Sequence, residues 1–299
     1  MAKSVKVNFV FNLINTISGL LFPLITFPYA SRVIMSEGIG QVNFYTSIIN
    51  YIALFSCIGI PLYGIREIAR VRDSQVDLSR TTVEILLLNL LLNVIGYFAV
   101  AIICLTVARV QANIPLFLVL SAIIALTTIG CSWFYNGIEE FKYITIRNLI
   151  VKIIAVIYLF YAVKTQDDLL QYGIYTVLGT IGNNIFNFLR LRKHIDLSLF
   201  GLRDLNIGRH FKPAIAIFAF NLVTSIYLNL DKVMLGFIQN DQAVGYYTAA
   251  TNLSHILLYA VTSLGAVLLP RTSNLIKNDR MDELSLIHIS EPTRPISIS

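Results

Sequence analysis

The fold is decided by stretches such as residues 83–107, which read VEILLLNLLLNVIGYFAVAIICLTV. A helix of about 20 apolar residues matches the hydrocarbon thickness of a bilayer. Stretches of this kind recur along the chain and are separated by short loops. We therefore predict an all-α, polytopic helical membrane protein. The predicted spans are 8–29, 42–64, 83–107, 114–135, 146–163, 169–190, 213–238 and 243–270.

The composition agrees with a membrane protein. The chain has 56% hydrophobic and 13% charged residues with a mean hydropathy of +0.70, whereas about 25% of the residues of a soluble domain are charged. The net charge of +6 would also suit a nucleic-acid-binding protein. Because the basic residues fall in short loops between spans, topogenic charge explains them better, and we predict no nucleic-acid partner.

The positions of Lys and Arg predict the orientation. With the N-terminus inside, seventeen cations fall in cytoplasmic segments, and the outer loops hold only Arg32, Arg109 and Lys164. This asymmetry predicts a multi-pass protein with a cytoplasmic N-terminus. The first span is too long for a signal peptide and lacks its small-residue cleavage site, so we expect it to be retained.

No catalytic or metal-binding motif stands out. Cys57, Cys104 and Cys131 all fall inside spans without a CxxC pair, and no Walker loop, HExxH, GxSxG or cysteine–histidine spacing occurs. The predicted outer loops are only a few residues long, which leaves little room for an active site. We therefore predict a protein that is not an enzyme and has no cofactor or metal. A coupling ion, H⁺ or Na⁺, stays open.

The chain resembles itself at an offset of about 200 residues. Each copy has a span that ends in a cation, a Gly-bearing turn, and a span that opens with aromatic residues. Because six spans, an even number, separate the copies, we expect two similar bundles related by an axis along the membrane normal. The matching pairs are Arg32 and Lys232, Tyr45 and Tyr247, and Asn50 and Asn252.

The repeat predicts the domain organisation. Residues 1–190 form a six-helix N-terminal lobe, 191–212 a basic cytoplasmic linker, and 213–283 the first two helices of a truncated second lobe. Residues 284–299 read LSLIHISEPTRPISIS, which looks like a translated sequencing adapter, so we expect this tail to be non-biological. By the repeat arithmetic, the natural gene would continue for about 100–200 residues.

Three groups of residues carry a family resemblance. They are 23–33 with 38–40 and 59–66, then 133–147, and finally 231–236 with 244–250. In these stretches the chain resembles the oligosaccharide flippases of bacterial polysaccharide synthesis, whose superfamily includes the multidrug and toxin extrusion transporters. Ser132 departs from the family, many members of which carry an acidic residue just before the Trp.

The resemblance implies a MATE-like two-lobed bundle of twelve or more helices around a cavity that faces the cytoplasm and the outside in turn. It also implies a location in the bacterial plasma (inner) membrane. There the protein would move undecaprenyl-pyrophosphate-linked oligosaccharide repeat units to the outer leaflet. The partners implied are the lipid-linked oligosaccharide, membrane lipids and the polysaccharide polymerase machinery.

Polar residues within the spans are the candidate substrate-binding residues. Asn8, Asn12 and Asn15 recur at i, i+4 and i+7 and form one polar stripe on the first helix. Their amides could hydrogen-bond sugar hydroxyls in a cavity. They could equally join packed helices within the bilayer.

Charged residues within or near the spans are the second group of candidates. Arg32 and Lys232 could meet an anionic substrate or snorkel to the headgroups. Asp231 could pair with either cation or bind a coupling ion. Arg66 could contact pyrophosphate or simply set topology. Lys152, placed one turn into the fifth predicted span, is expected to snorkel.

Two other functions compete with the flippase. A cation-coupled multidrug exporter of the same superfamily would favour acidic and aromatic residues in its cavity, whereas this chain offers amides, Arg and Lys. A membrane-embedded polymerase or ligase would need a long outer loop with catalytic residues. The sequence favours the flippase.

Overall fold

The computed structural model describes the backbone of residues 5–254, which is helical with connecting turns and includes no strand in that range. The residues up to Thr248 belong to one compact unit and those from Ala249 to a second. The contacts below lie within the first. The helices are α1 Val5–Val33, α2 Met35–Cys57, α3 Ile60–Val71, α4 Gln75–Thr106, α5 Ala108–Gln111, α6 Ile114–Ile129, α7 Ser132–Gly137, α8 Phe141–Ala162, α9 Leu169–Ile181, α10 Asn184–Leu191 and α11 Phe211–Ile238. A last helix, α12, is described over residues 241–254.

The structure confirms an all-α, polytopic membrane protein. Five helical stretches are long and apolar enough to cross a bilayer: Leu13–Val33, Met35–Val71, Gln75–Thr106, Ile114–Gly137 and Phe141–Ala162. A sixth is the bent pair Ile207–Ala219 and Asn221–Ile238, whose halves meet at 49°. The predicted span 169–190 is divided between α9 and α10. The end of the predicted span 243–270 and the tail 284–299 lie outside the described residues.

The long segments alternate in direction between two ends of the unit. We call the end near residues 192–210 the linker end, because Gln75 at the start of α4 donates a 2.7 Å hydrogen bond to the His194 carbonyl there. The opposite end is the far end, where Tyr29 of α1 donates a 2.7 Å hydrogen bond to the Val163 carbonyl after α8. Like α1, α11 runs from the linker end to the far end.

Two helices begin earlier than the hydropathy predicts. Helix α4 begins at Gln75 rather than at residue 83, because the Ser74 side chain caps it by accepting a hydrogen bond from the Asp77 backbone N–H. Helix α8 begins at Phe141 rather than at residue 146. Lys152 is therefore near the middle of α8.

A close approach of backbones explains the break between α2 and α3. Gly59 has a φ of +71°, a left-handed conformation that favours glycine. A Cβ there would lie 2.5 Å from the Ala214 carbonyl oxygen of α11. The missing side chain thus allows both the break and the contact with α11.

The Gly-bearing turn predicted after the first span is wrong. Only Ile34 separates α1 from α2, and Gly38 and Gly40 are helical. A Cβ on Gly40 would overlap the carbonyl oxygen of Asp241, and one on Gly245 would overlap that of Ser36. These glycines let α2 cross α12 closely, as small residues do between membrane helices.

Candidate functional site

A run of polar side chains joins α1, α8 and α10 inside the bundle. We call Asn15, Arg147, Asn148, Asn183 and Asn187 the amide ladder. Asn148 donates a 2.9 Å hydrogen bond to the Asn15 side-chain oxygen and accepts one of 2.6 Å from Asn183. Arg147 donates to the side-chain oxygens of Asn148, at 3.0 Å, and of Asn187. The ladder thus links three helices that are far apart in sequence.

Broken helices create this site. The break between α6 and α7 frees carbonyl groups, which must find partners because the bilayer offers none. Asn187 donates a 2.5 Å hydrogen bond to the Gly130 carbonyl, and Asn184 donates one of 2.9 Å to Leu126. Both asparagines follow the second break, between α9 and α10.

Lys152 lies beside the ladder, halfway along α8. Eleven residues, or about 16 Å of helix, lead from Phe141 to Lys152. Its Nζ donates a 3.4 Å hydrogen bond to Ser18 and lies 5.5 Å from the centre of the Phe22 ring. Among the described residues it forms no ion pair. A cation within a membrane span normally faces the bundle interior or a water-filled cavity.

The predicted stripe on α1 can be located only at Asn15. Its side chain is half-buried and belongs to the amide ladder, with Ser18 one turn further along the same face. The side chains of Asn8 and Asn12 lie outside the described part of the chain. For Asn15, the hydrogen bond to Asn148 agrees with the interhelical alternative and leaves the residue partly accessible.

The other candidate residues are dispersed. Arg32 is exposed at the far end of α1, and Arg66 is exposed in α3 near the linker end. Lys232 is half-buried in α11. In the described part of the chain no ion pair joins Asp231 to Arg32 or Lys232. Instead, Asp231 accepts a hydrogen bond from the Tyr247 hydroxyl.

At the far end, residues of α2, α5 and α12 contact one another. Arg109 forms an ion pair with Asp241, and its guanidinium lies 4.9 Å from the centre of the Phe44 ring. Tyr45 donates a 2.6 Å hydrogen bond to the Arg109 carbonyl. Burial raises the pKa of the Asp241 carboxyl, and the neighbouring Arg109 offsets this only in part.

The linker end has a polar cluster around the buried Glu84 and His210, which we call the linker clamp: Tyr63, Glu84, Asn206, Arg209 and His210. Glu84 is 0% exposed and His210 1%. One Glu84 oxygen lies 2.7 Å from His210 Nε2 and 2.6 Å from Arg209, and the other accepts a 2.8 Å hydrogen bond from the Asn206 backbone N–H. Tyr63 Oη lies 2.7 Å from His210 Nδ1. The clamp fastens the linker to α3 and α4.

Sequence reasoning did not single out the ladder residues on α8 and α10 or the linker clamp. A usable signal was present, since Lys152 lies four positions after Asn148 within one apolar span, and Glu84 is the second residue of another. Within the described residues, no three His, Cys, Asp or Glu side chains come together as metal ligands.

Comparisons with known proteins identify relatives over nearly the whole chain. Residues 5–276 match the family model described as "Polysaccharide biosynthesis protein". A Shigella dysenteriae protein is 26% identical over 258 residues, which cover 86% of this chain. An Escherichia coli K12 protein is 22% identical over 273 residues, or 90% of the chain. Both are named "Putative O-antigen transporter", and the matched stretch spans 65% of each relative. No solved structure matches the chain.

Proposed function

The chain belongs to the polysaccharide biosynthesis protein family, and from this premise we propose that it acts in a flippase for undecaprenyl-pyrophosphate-linked oligosaccharide repeat units. It works as a non-enzymatic transporter in the bacterial plasma membrane. Its N-terminus and linker face the cytoplasm, which is then the side of the linker end. Residues 1–190 form one lobe of the transporter, and α11 begins the second.

Lys152 is the observation that carries this proposal. Its charge lies within the predicted span 146–163, and the Ser18 hydroxyl and the Phe22 ring are among its contacts. A pyrophosphate group loses its water on entering the bilayer and needs a charged donor in exchange. Lys152 supplies such a donor within an apolar span.

Part of the amide ladder suits the sugar. Asn15, Asn148 and Asn183 are half-buried, so that part of each side chain stays accessible. Arg147 and Asn187 are buried and hold the helices together. We propose that the half-buried amides exchange partners with sugar hydroxyls during transport, while the buried pair preserves the lobe.

A cation-coupled drug exporter has less support. Such an exporter needs an acidic side chain that is free to bind a cation within the membrane. Of the described residues, Glu84 is the buried acid, and both of its oxygens already have partners in the linker clamp. Asp231 is exposed and bonded to Tyr247.

The test is export of surface polysaccharide by the source gene in a strain that lacks its own flippase. Lys152→Met keeps the length of the side chain and removes the charge. We expect export to fall by about 10- to 100-fold, because one charge-assisted hydrogen bond to the substrate is lost. Lys152→Arg should retain part of the activity. The control is Lys164→Met, which removes an exposed loop cation. Normal export by Lys152→Met at normal protein levels would refute the proposal.

The same assay tests the other predicted cations. Arg32→Ala and Lys232→Ala should abolish export if these residues hold substrate phosphate at the lobe interface. Arg32→Lys should then retain part of the activity, because a point charge still attracts phosphate without the bidentate fork. If both alanine variants export normally, Arg32 and Lys232 are only snorkelling anchors, and a cationic cavity built on these two residues is refuted.

A further inference from the structure

A cavity of about 410 Å³ opens between α8 and α10 near the linker end. It is separate from the contact of Lys152 with α1. Its polar lining consists of Tyr143, Arg147, Arg190 and Lys193. Arg190 forms a 2.9 Å ion pair with Glu140, which balances one of the three positive charges. A net charge of about two therefore faces the cavity.

Three donors in this lining have no partner in the described structure. They are the Tyr143 hydroxyl and the Nε atoms of Arg147 and Arg190, all buried. The Tyr143 ring lies against both guanidinium groups, at 5.4 Å from Arg147 and 4.0 Å from Arg190. A buried donor without a partner costs free energy. Two guanidinium groups and a phenol around one space form a site for an anion rich in oxygen.

The rim of the cavity is apolar. Ile150, Phe186 and Leu189 line it, and about half or more of each side chain is exposed. These side chains are on the outer surface of membrane helices, where lipid chains would contact them. The cavity therefore joins a cationic interior to a surface that suits acyl chains.

We propose that this cavity binds the headgroup of an anionic phospholipid, with the phosphate between Tyr143 and the two arginines. The acyl chains lie along Ile150, Phe186 and Leu189. The cavity volume of about 410 Å³ is room for a small headgroup. The choice of lipid rests on the proposed orientation, which places the linker end in the cytoplasmic leaflet with its anionic lipids.

The test measures retention of phosphatidylglycerol by the purified chain in detergent, using native mass spectrometry. The double variant Arg190→Gln/Lys193→Gln should weaken retention by about 25-fold, at about fivefold for each cation. The matched control, Lys142→Gln/Arg192→Gln, removes two exposed cations that do not line the cavity. It should retain the lipid like the wild type. An equal loss in both doubles would mean general charge attraction and would overturn the site.

Tyr143→Phe separates binding from folding. Because the Tyr143 hydroxyl has no partner in the described structure, its removal should leave the melting temperature unchanged. Retention of phosphatidylglycerol should nevertheless fall by about fivefold, the loss of one hydrogen bond to the phosphate. Unchanged retention by this variant would overturn the proposal.

Competing ligands distinguish the sources of phosphate. Phosphatidylglycerol should be retained better than phosphatidylcholine, and inorganic pyrophosphate should not displace it. Displacement by pyrophosphate would indicate a site for free anions, and tighter binding of undecaprenyl pyrophosphate would assign the cavity to the transported lipid. Either result overturns the proposal. The failure of the transport proposal is distinct, because Lys152→Met should lose export but retain phosphatidylglycerol.

Discussion

Glu84 offers the sharpest test of how the linker is held. Its carboxylate is fully buried and accepts hydrogen bonds or ion pairs from three linker groups: the Asn206 backbone, Arg209 and His210. In Glu84→Gln the amide oxygen can still accept from one of these groups. The amide NH₂ then faces the remaining groups without a charge to attract Arg209. The variant keeps the shape of the side chain and removes most of what fastens the linker.

The expected change in the free energy of opening the clamp depends on how deeply Glu84 and Arg209 are buried. Breaking a buried ion pair by removing one partner costs about 3–5 kcal/mol. Arg209 is 39% exposed and can regain water when released, so we expect the lower figure of about 2–3 kcal/mol for opening of the clamp. At about 0.6 kcal/mol for RT, this raises the fraction of open clamp by about 30- to 160-fold.

Limited digestion with trypsin measures this opening, because cleavage after Arg209 requires the linker to leave α4. When opening and closing are fast relative to cleavage, the cleavage rate follows the open fraction. The control is Asp77→Asn, which removes an exposed ion pair with Arg80 on the same helix and should change the rate by less than about threefold. If Glu84→Gln is cleaved no faster than this control, the clamp does not hold the linker.

Three further results are expected. Gly40→Ala should lower the free energy of unfolding by about 1–3 kcal/mol, because its Cβ overlaps the Asp241 carbonyl at the crossing with α12; an unchanged melting temperature in detergent would contradict this packing. Burial raises the folded-state pKa of Asp241 above its unfolded value, so its protonation favours the folded state as the pH falls through the raised pKa. Asp241→Asn should therefore not lower the melting temperature at pH 7. The pKa of Asp168 shifts in the opposite direction, because backbone N–H groups lower it. Asp168→Asn should therefore lower the melting temperature at pH 7. Equal effects of Asp241→Asn and Asp168→Asn would refute this electrostatic argument. A topology reporter fused after Lys212 should behave as cytoplasmic and one at Asn240 as external, and the reverse pattern would overturn the proposed orientation.

Hydropathy predicts the spans well and their ends poorly. Apolar runs reveal where a helix can lie in hydrocarbon, but a helix continues into water as long as caps and polar first turns support it. Ser74 extends α4 to Gln75 in this way. Helix α3 likewise continues the second span to Val71 with an amphipathic segment, which an average over apolar residues does not include.

The ends of the helices matter for the site because they determine the depth of every polar residue. Because α8 begins at Phe141, Lys152 is near the middle of the helix rather than near its start. Its neighbours Asn148 on α8 and Ser18 on α1 belong to the same line of polar contacts between the two helices. The family resemblance could not supply this result, because it gives a role only to positions within the recognised motifs.

The cations near the linker end show why a charge count predicts orientation but not role. Arg147 and Arg190 counted toward the cytoplasmic excess, yet Arg147 is only 7% exposed and Arg190 is ion-paired to Glu140. Their partners are far away in sequence: Arg147 bonds to Asn187, forty residues further on. A topogenic cation and a binding-site cation can be the same residue, since a charge that anchors a helix end lies at the depth of lipid phosphates. The count of Lys and Arg therefore predicts which end of each helix carries these cations. The packing of α8 against α10 is what brings them together around one cavity.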